Sequence, residues 1–189
     1  MLLPIFPLPI FLLPEGITRL RIFEAKYIKL VSIATKEQGF AIVACTKEHD
    51  LNDITWASWV EIVNFSQGDD NVLIIDVKCK ALLNIISVES NQDGLLFGDA
   101  TVKSHWHDVT HDNETKLFAE VLSKIIDTSP ELTELYQTKY QDKARWALSR
   151  WIELLPINLN EKQIFAEEFS FGTAKDFIRT VITNSTFDK

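Results

Sequence analysis

The chain has 189 residues, enough for one large domain or two small ones, and a chain of that length buries about 70% of its unfolded surface on folding. With 46% hydrophobic and 24% charged residues, 12 Phe and 5 Trp, it is neither disordered nor low-complexity. A formal net charge of -8, from 19 basic against 27 acidic residues, works against broad attraction to nucleic-acid phosphates or anionic lipid.

Residues 1–14 are almost wholly apolar, yet no Lys or Arg precedes them, no small-residue cleavage site follows, and four prolines rule out a spanning helix. The expectation is a mature cytoplasmic chain that opens with an extended segment over residues 3–13, an edge strand at most. Glu15-Gly16 reads as a turn. Residues 17–22 then alternate apolar and polar as a half-buried strand does. Tyr27, Leu30, Val31 and Ala34 predict an amphipathic helix over 24–36, closed near Gly39.

From Phe40 the period returns to two. Strands are predicted at 40–45, 56–65, 72–77, 82–89 and 95–102, with turn chemistry at 66–71 and 91–94 pairing consecutive strands as hairpins. After Asp108 the pattern is helical. Leu117, Phe118, Val121, Leu122, Ile125 and Ile126 form one stripe capped by Asp112 or Asn113, and Ser129-Pro130 opens a second helix. Ala144, Ala147, Leu148, Trp151, Ile152 and Leu155 form a third stripe that Pro156 stops. Capping patterns at 158–161 and 173–176 predict two more helices, and the polar tail 183–189 is expected to fray.

The six glycines are scattered and none precedes lysine, so there is neither a phosphate-cradling loop nor a dinucleotide fingerprint. No serine sits on a glycine-flanked elbow. Cys45 and Cys79 lack metal or disulfide spacing and read as buried thiols in a reducing compartment. His105, His107 and His111, with Asp108 and Asp112 between and beside them, are the one cluster resembling a metal sphere, and they define an alternative reading as a metal-dependent hydrolase; His49 has only a loop context. Asp69-Asp70 and Glu167-Glu168 read as solvated pairs, and Trp146 with Trp151 as a packing face. Trp56 and Trp59 fall on opposite faces of their strand. Arg19, Arg21, Lys26 and Lys29 break the acidic trend near the N-terminus.

Three stretches together resemble a known family. Pro4-Ile5-Phe6-Pro7-Leu8, Leu13-Pro14-Glu15-Gly16 and Leu20-Arg21-Ile22-Phe23-Glu24-Ala25-Lys26-Tyr27 are similar to the opening of the Lon protease N-terminal substrate-binding domain. Trp59-Val60-Glu61-Ile62-Val63-Asn64-Phe65 resembles its central strand. Trp151-Ile152-Glu153-Leu154-Leu155-Pro156, running on to Glu161-Lys162-Gln163, resembles its late signature. Arg21, Ala25 and Lys26 stand where the family pattern has His, Pro and Arg.

The resemblance implies an α+β fold, with a β-rich, PUA-like pseudo-barrel over 1–108 and a helical bundle over 109–189. It implies a free-standing, non-catalytic module, without ATPase or Ser-Lys protease modules, that binds unfolded polypeptide segments or a partner protein as an accessory to ATP-dependent proteolysis. The polypeptide-binding residues expected are Arg21, Phe23, Glu24, Lys26, Tyr27, Trp56 and Trp59, with strand addition to an exposed sheet edge as the mode. No cofactor and no membrane partner are expected, weak self-association is allowed for, and RNA binding through the PUA-like fold is the third reading, opposed by the acidic balance.

Overall fold

The structure, a computed structural model, describes residues 1–45, 54–68 and 72–187, with side chains described through Thr183; His49, Asp69 and Asp70 lie outside the described residues. The fold is mixed α+β. Its two compact units are Met1–Lys103 and Ser104–Lys189.

The first unit contains β1 (Leu2–Leu8), β2 (Ile17–Ile22), α1 (Ala25–Ala34), β3 (Phe40–Ala44), β4 (Trp56–Gln67), β5 (Leu73–Ser90) and β6 (Leu96–Lys103). The sheet order is β2-β5-β4-β3-β1-β6, with β5 also pairing β6. Leu82, Leu83 and Asn84 pair β4 on one edge and β6 on the other. The ladder therefore closes as a ring of β5, β4, β3, β1 and β6, and β2 extends the ring by pairing the earlier part of the β5 edge, from Leu73 to Lys78. One cluster of buried side chains draws on all five ring strands: Leu3 and Ile5, Ala41 and Val43, Ala57, Leu83, and Ala100. Small residues suit so narrow an interior. Gly98 belongs to the same logic, since a Cβ there would lie 2.6 Å from Ile5 Cδ1.

β1 is not an edge strand, as the prolines had implied. It runs between β3, parallel, and β6, antiparallel. Met1 exchanges both backbone bonds with Ala100, at 2.7 and 2.9 Å, so odd-numbered residues of β1 face β6 and even-numbered ones face β3. Pro4 therefore turns its bare nitrogen toward β3, whose pairing starts only at Ile5, and Pro7 turns toward β6, whose pairing ends at Ile5. Both prolines sit where no ladder bond is needed.

The strands predicted at 72–77 and 82–89 are one continuous strand. Lys78-Cys79-Lys80-Ala81 carries no turn residue, and the period breaks there for another reason: the register passes from Trp59↔Ala81 to Val60↔Cys79, leaving Lys80 as a bulge. A second break, from Ile85↔Ala100 to Ser87↔Asp99, leaves Ile86 extra and outward-facing.

On the other side of β1 and β3, Phe6 stacks on Tyr27 of α1, with ring centroids 4.0 Å apart, and lies 6.2 Å from Phe40. α1 ends in a turn whose last residue, Gly39, has φ +94° and sits so close to β4 that a Cβ would lie 2.0 Å from the Val60 carbonyl oxygen. Here the β3–β4 ladder stops, with Phe40↔Val60 as its last pair.

The second unit contains α2 (Asn113–Thr128), α3 (Pro130–Leu135), α4 (Ala144–Leu154), α5 (Leu159–Lys162) with a 3-10 turn (Gln163–Ala166), and α6 (Phe171–Phe187). α4 packs on α2 and α6. Trp146 and Trp151 are buried, and Trp151 Nε1 donates to the Phe118 carbonyl at 2.9 Å. Arg150 is fully buried and donates twice to Glu153, at 2.6 and 2.7 Å, with its guanidinium 5.9 Å from the rings of Tyr136 and Trp146. α6 starts before the predicted cap at Thr173, because Ser170 holds the turn: its carbonyl accepts from Ala174, and its hydroxyl accepts from Trp106 Nε1 and donates to Glu167. The helix also continues to Phe187, past the point where fraying was expected.

Asp112 caps α2 in a reciprocal box with Thr115. Lys175 bonds Asp112 and Glu114, and Arg179 bonds Glu114 through both of its carboxylate oxygens. Arg179, then Lys175, lower the Glu114 carboxyl from its usual 4.5 to about 2. A lowered folded-state value means that the tie is intact above the ordinary carboxylate range and is lost as pH falls toward the folded value. Glu114→Gln is expected to make stability less steep between about pH 4.5 and pH 2, measured as urea midpoints across that interval; an unchanged slope would contradict the tie. In the first unit, Gly39→Ala is expected to cost about 3 kcal/mol in urea unfolding, from the positive φ and the clash with Val60 together.

Candidate functional site

The expected polypeptide-binding residues fall in three environments. Phe23, in the link between β2 and α1, is 75% exposed, with Arg21 and Glu24 also on the surface. Tyr27 is half-buried by its stack on Phe6, and Lys26 lies over its outer side, 4.7 Å from the ring centroid and 3.9 Å from Glu24. Five of the seven expected residues thus gather at the start of α1, around one exposed aromatic ring. Ile28 is likewise exposed on α1.

Trp56 does not belong to that surface. It is 9% exposed and meets Phe11 edge-on at 5.6 Å, because the segment after β1 folds back over it. Ser58, on the same strand, donates to the Leu12 carbonyl in the same overlap. Trp59 is half-buried and works as a pin. Its Nε1 donates to the Gln38 carbonyl at 2.8 Å, fixing the turn after α1 to the sheet, while Lys80 lies 4.1 Å from its ring centroid.

Beside that pin lies a groove of about 350 Å³, lined by Ala34, Thr35, Glu37, Gln38 and Gly39 on one wall and by Glu61, Ile62, Phe65 and Lys80 on the other. Two bulges shape it. Lys80 is the extra residue of β5, and Val63 is extra on β4, where the register passes from Ile62↔Val77 to Asn64↔Asp76. Without the Val63 bulge, Ile62 and Phe65 would point to opposite faces; with it they share one.

The strand is braced from behind. Arg19 grips Asp76 with two bonds of 2.7 and 2.9 Å, and Asp76 accepts from Asn64 Nδ2 at 3.2 Å. The Arg19 guanidinium holds the Asp76 carboxyl below its ordinary range. Sequence reading singled out neither Ile62 nor Phe65. The signal present was Phe65 next to Asn64 at the end of a predicted strand, and the bulge that aims it is invisible in the pattern.

The histidines do not converge. His105 Nε2 lies 2.9 Å from the Phe165 carbonyl and its ring stacks on Trp106; His107 is exposed and 3.5 Å from Glu168; His111 Nδ1 is 3.1 Å from Thr115 Oγ1. Among the described residues, no group of three His, Cys, Asp or Glu side chains is placed to hold a metal ion. The basic residues near the N-terminus are largely matched as well: Arg19 by Asp76, Lys26 by Glu24 and Lys29 by Asp93. Among the described residues, no helix is long and apolar enough to cross a membrane.

Residues 2–173 match the family described as the ATP-dependent protease La (LON) substrate-binding domain. A solved structure of a Lon N-terminal domain protein from Xanthomonas campestris is 23% identical, with a TM-score of 0.73, covering 95% of this chain and 98% of that one. The N-terminal domain of Mycobacterium avium complex Lon protease is 10% identical, with a TM-score of 0.59, covering 94% of this chain and 95% of that one. At these identities the likeness is one of fold. No curated protein matches the chain.

The scattered imidazoles generate a direct test. One equivalent of zinc is expected to leave the melting temperature of tag-free protein within about 1 °C, whereas a rise of about 5 °C or more would show a metal site.

Proposed function

The chain belongs to the ATP-dependent protease La (LON) substrate-binding domain family, and on that footing we propose that it is a non-catalytic module that holds unfolded polypeptide segments and acts as an accessory to ATP-dependent proteolysis. The observation that carries this reading is the surface of the first unit: a groove bordered by Ile62 and Phe65 at the end of α1, and exposed Phe23 at its start. Exposed aromatics beside a groove suit extended apolar chain, which folded proteins keep inside. α1 has 10 residues and is about 15 Å long, a distance that about five extended residues span.

In this reading Phe23 and the outer side of Tyr27 give apolar contact, while Arg21, Glu24 and Lys26 set charge preference around them. Trp59 acts indirectly, by holding the turn that walls the groove. Trp56, being buried, supports the core. The module supplies binding, and cleavage belongs to a separate protease.

The test is fluorescence anisotropy with a labelled, permanently unfolded polypeptide, and its folded parent as competitor. Saturable binding with Kd of about 1–100 μM, not displaced by the folded parent, is expected. Phe23→Ser is expected to weaken it about fivefold without changing the melting temperature, since the ring is exposed. Equal competition by the folded parent would contradict the proposal.

A further inference from the structure

β4 is longer than the strand beside it. β3 pairs Ser58, Trp59 and Val60, and from Glu61 onward the described strands pair β4 only on its β5 edge. Gly39 is the cause: packed against the Val60 carbonyl with a positive φ, it turns the chain into the 35–39 segment instead of prolonging β3. The outer edge of residues 61–66 thus has no described strand beside it, and Glu61, Val63, Asn64, Phe65 and Ser66 are exposed.

An edge of this kind is a template for another strand. Cys79 N–H donates to the Gly16 carbonyl, toward β2, so by alternation Asp76 and Ile74 face β4, and their partners Asn64 and Ser66 face β5. Phe65 then has its backbone polar groups on the open side. Its N–H is held there by Asn64 Oδ1 at 3.0 Å, a side-chain acceptor that an incoming carbonyl can replace. The groove lies against this same edge, and its charges are two carboxylates, Glu37 and Glu61, against one ammonium, Lys80, which is already over Trp59.

We infer that the edge formed by residues 61–66 takes up an extended segment of substrate polypeptide as an added strand, with an apolar side chain seated against Ile62 and Phe65 and an adjacent lysine or arginine beside Glu61 and Glu37. The inference rests on the polypeptide-binding reading above and gives it a mode, a place and a charge preference. Main-chain bonds supply sequence tolerance, and the groove selects apolar-basic segments over apolar-acidic ones.

The test uses the full chain and labelled ten-residue peptides alternating Val with Lys or with Glu, plus two Val/Lys versions N-methylated on alternate residues in the two possible registers. A strand donates its N–H groups to one neighbour from alternate residues only. One methylated register is expected to lose binding about tenfold or more, and the other to change less than about twofold. The Val/Lys peptide is expected to bind about fivefold tighter than Val/Glu, Glu61→Lys to reverse that order, and Phe65→Ala to weaken binding about tenfold. Both substitutions are at exposed positions, and circular dichroism confirms that the variants fold.

Equal binding of the two methylated registers, or wild-type affinity in Phe65→Ala and Glu61→Lys, overturns the inference. If those variants still capture the permanently unfolded polypeptide at wild-type strength, only the inference fails; if wild-type protein captures none, the underlying reading fails with it. Dissociation of a dimer on Phe65→Ala, seen by sedimentation with no change in peptide affinity, would assign the edge to a second copy of the chain and overturn the inference as well.

Discussion

The first unit depends on the length of β5. At 18 residues it would span about 60 Å if straight, several times the usual strand, and it can close a ring only by bending. The bulges at Lys80 and Ile86 supply the bend, letting one strand pair β2 and β6 in succession on one edge and β4 on the other. Closure removes most of the edges that a six-stranded sheet would expose. What it leaves over is set by a mismatch: β4 follows β5 outward, while the five-residue β3 starts only after Gly39. The groove and the open edge of β4 are both consequences of that mismatch, and Lys80, the bulge that bends β5, also lines the groove.

The second unit is held differently. Its polar groups are tied down in pairs: buried Arg150 by Glu153, Trp106 by Ser170, and Asp112 and Glu114 by Lys175 and Arg179. A buried ion pair of this kind adds little net stability but makes removal of either partner costly. The late Trp-Ile-Glu-Leu-Leu-Pro signature has a structural meaning in these terms, because Trp151 and Glu153 both anchor α4 to its neighbours, the latter also accepting through its carbonyl from Lys162. Of the three histidines that looked most like chemistry in the sequence, His105 packs on Trp106, His111 neighbours the Thr115 cap of α2, and His107 is exposed beside Glu168.

Periodicity was a good guide wherever one face of an element is buried and the other wet. It located β2, α1, β3 and the start of β4, and it identified α4 with its stop at Pro156. It failed where a local rule was satisfied by a distant partner. The prolines of β1 argued for an edge, yet each points to a side where the neighbouring ladder is absent, a fact of register that no local pattern carries. Bulges broke the alternation in β5 and were read as a gap between two strands.

The site was legible in part. Phe23, Arg21 and Glu24 are on the surface, whereas Trp56 is covered by a segment that precedes it by some forty residues of sequence. Ile62 and Phe65 could not be found from spacing, since regular alternation puts them on opposite faces and only the extra residue at Val63 reunites them. Gly39, an ordinary helix stop in the sequence, proved to set where β3 begins and, beside it, where the open edge of β4 starts.

The most direct measurement is amide hydrogen exchange of the full chain with and without a saturating unfolded polypeptide. The account predicts that the ring amides of β1, β3 and residues 56–60 are slow in both states, and that added protection falls on residues 61–66 and the 35–39 turn. Saturated binding that leaves 61–66 unchanged while protecting another surface would contradict it.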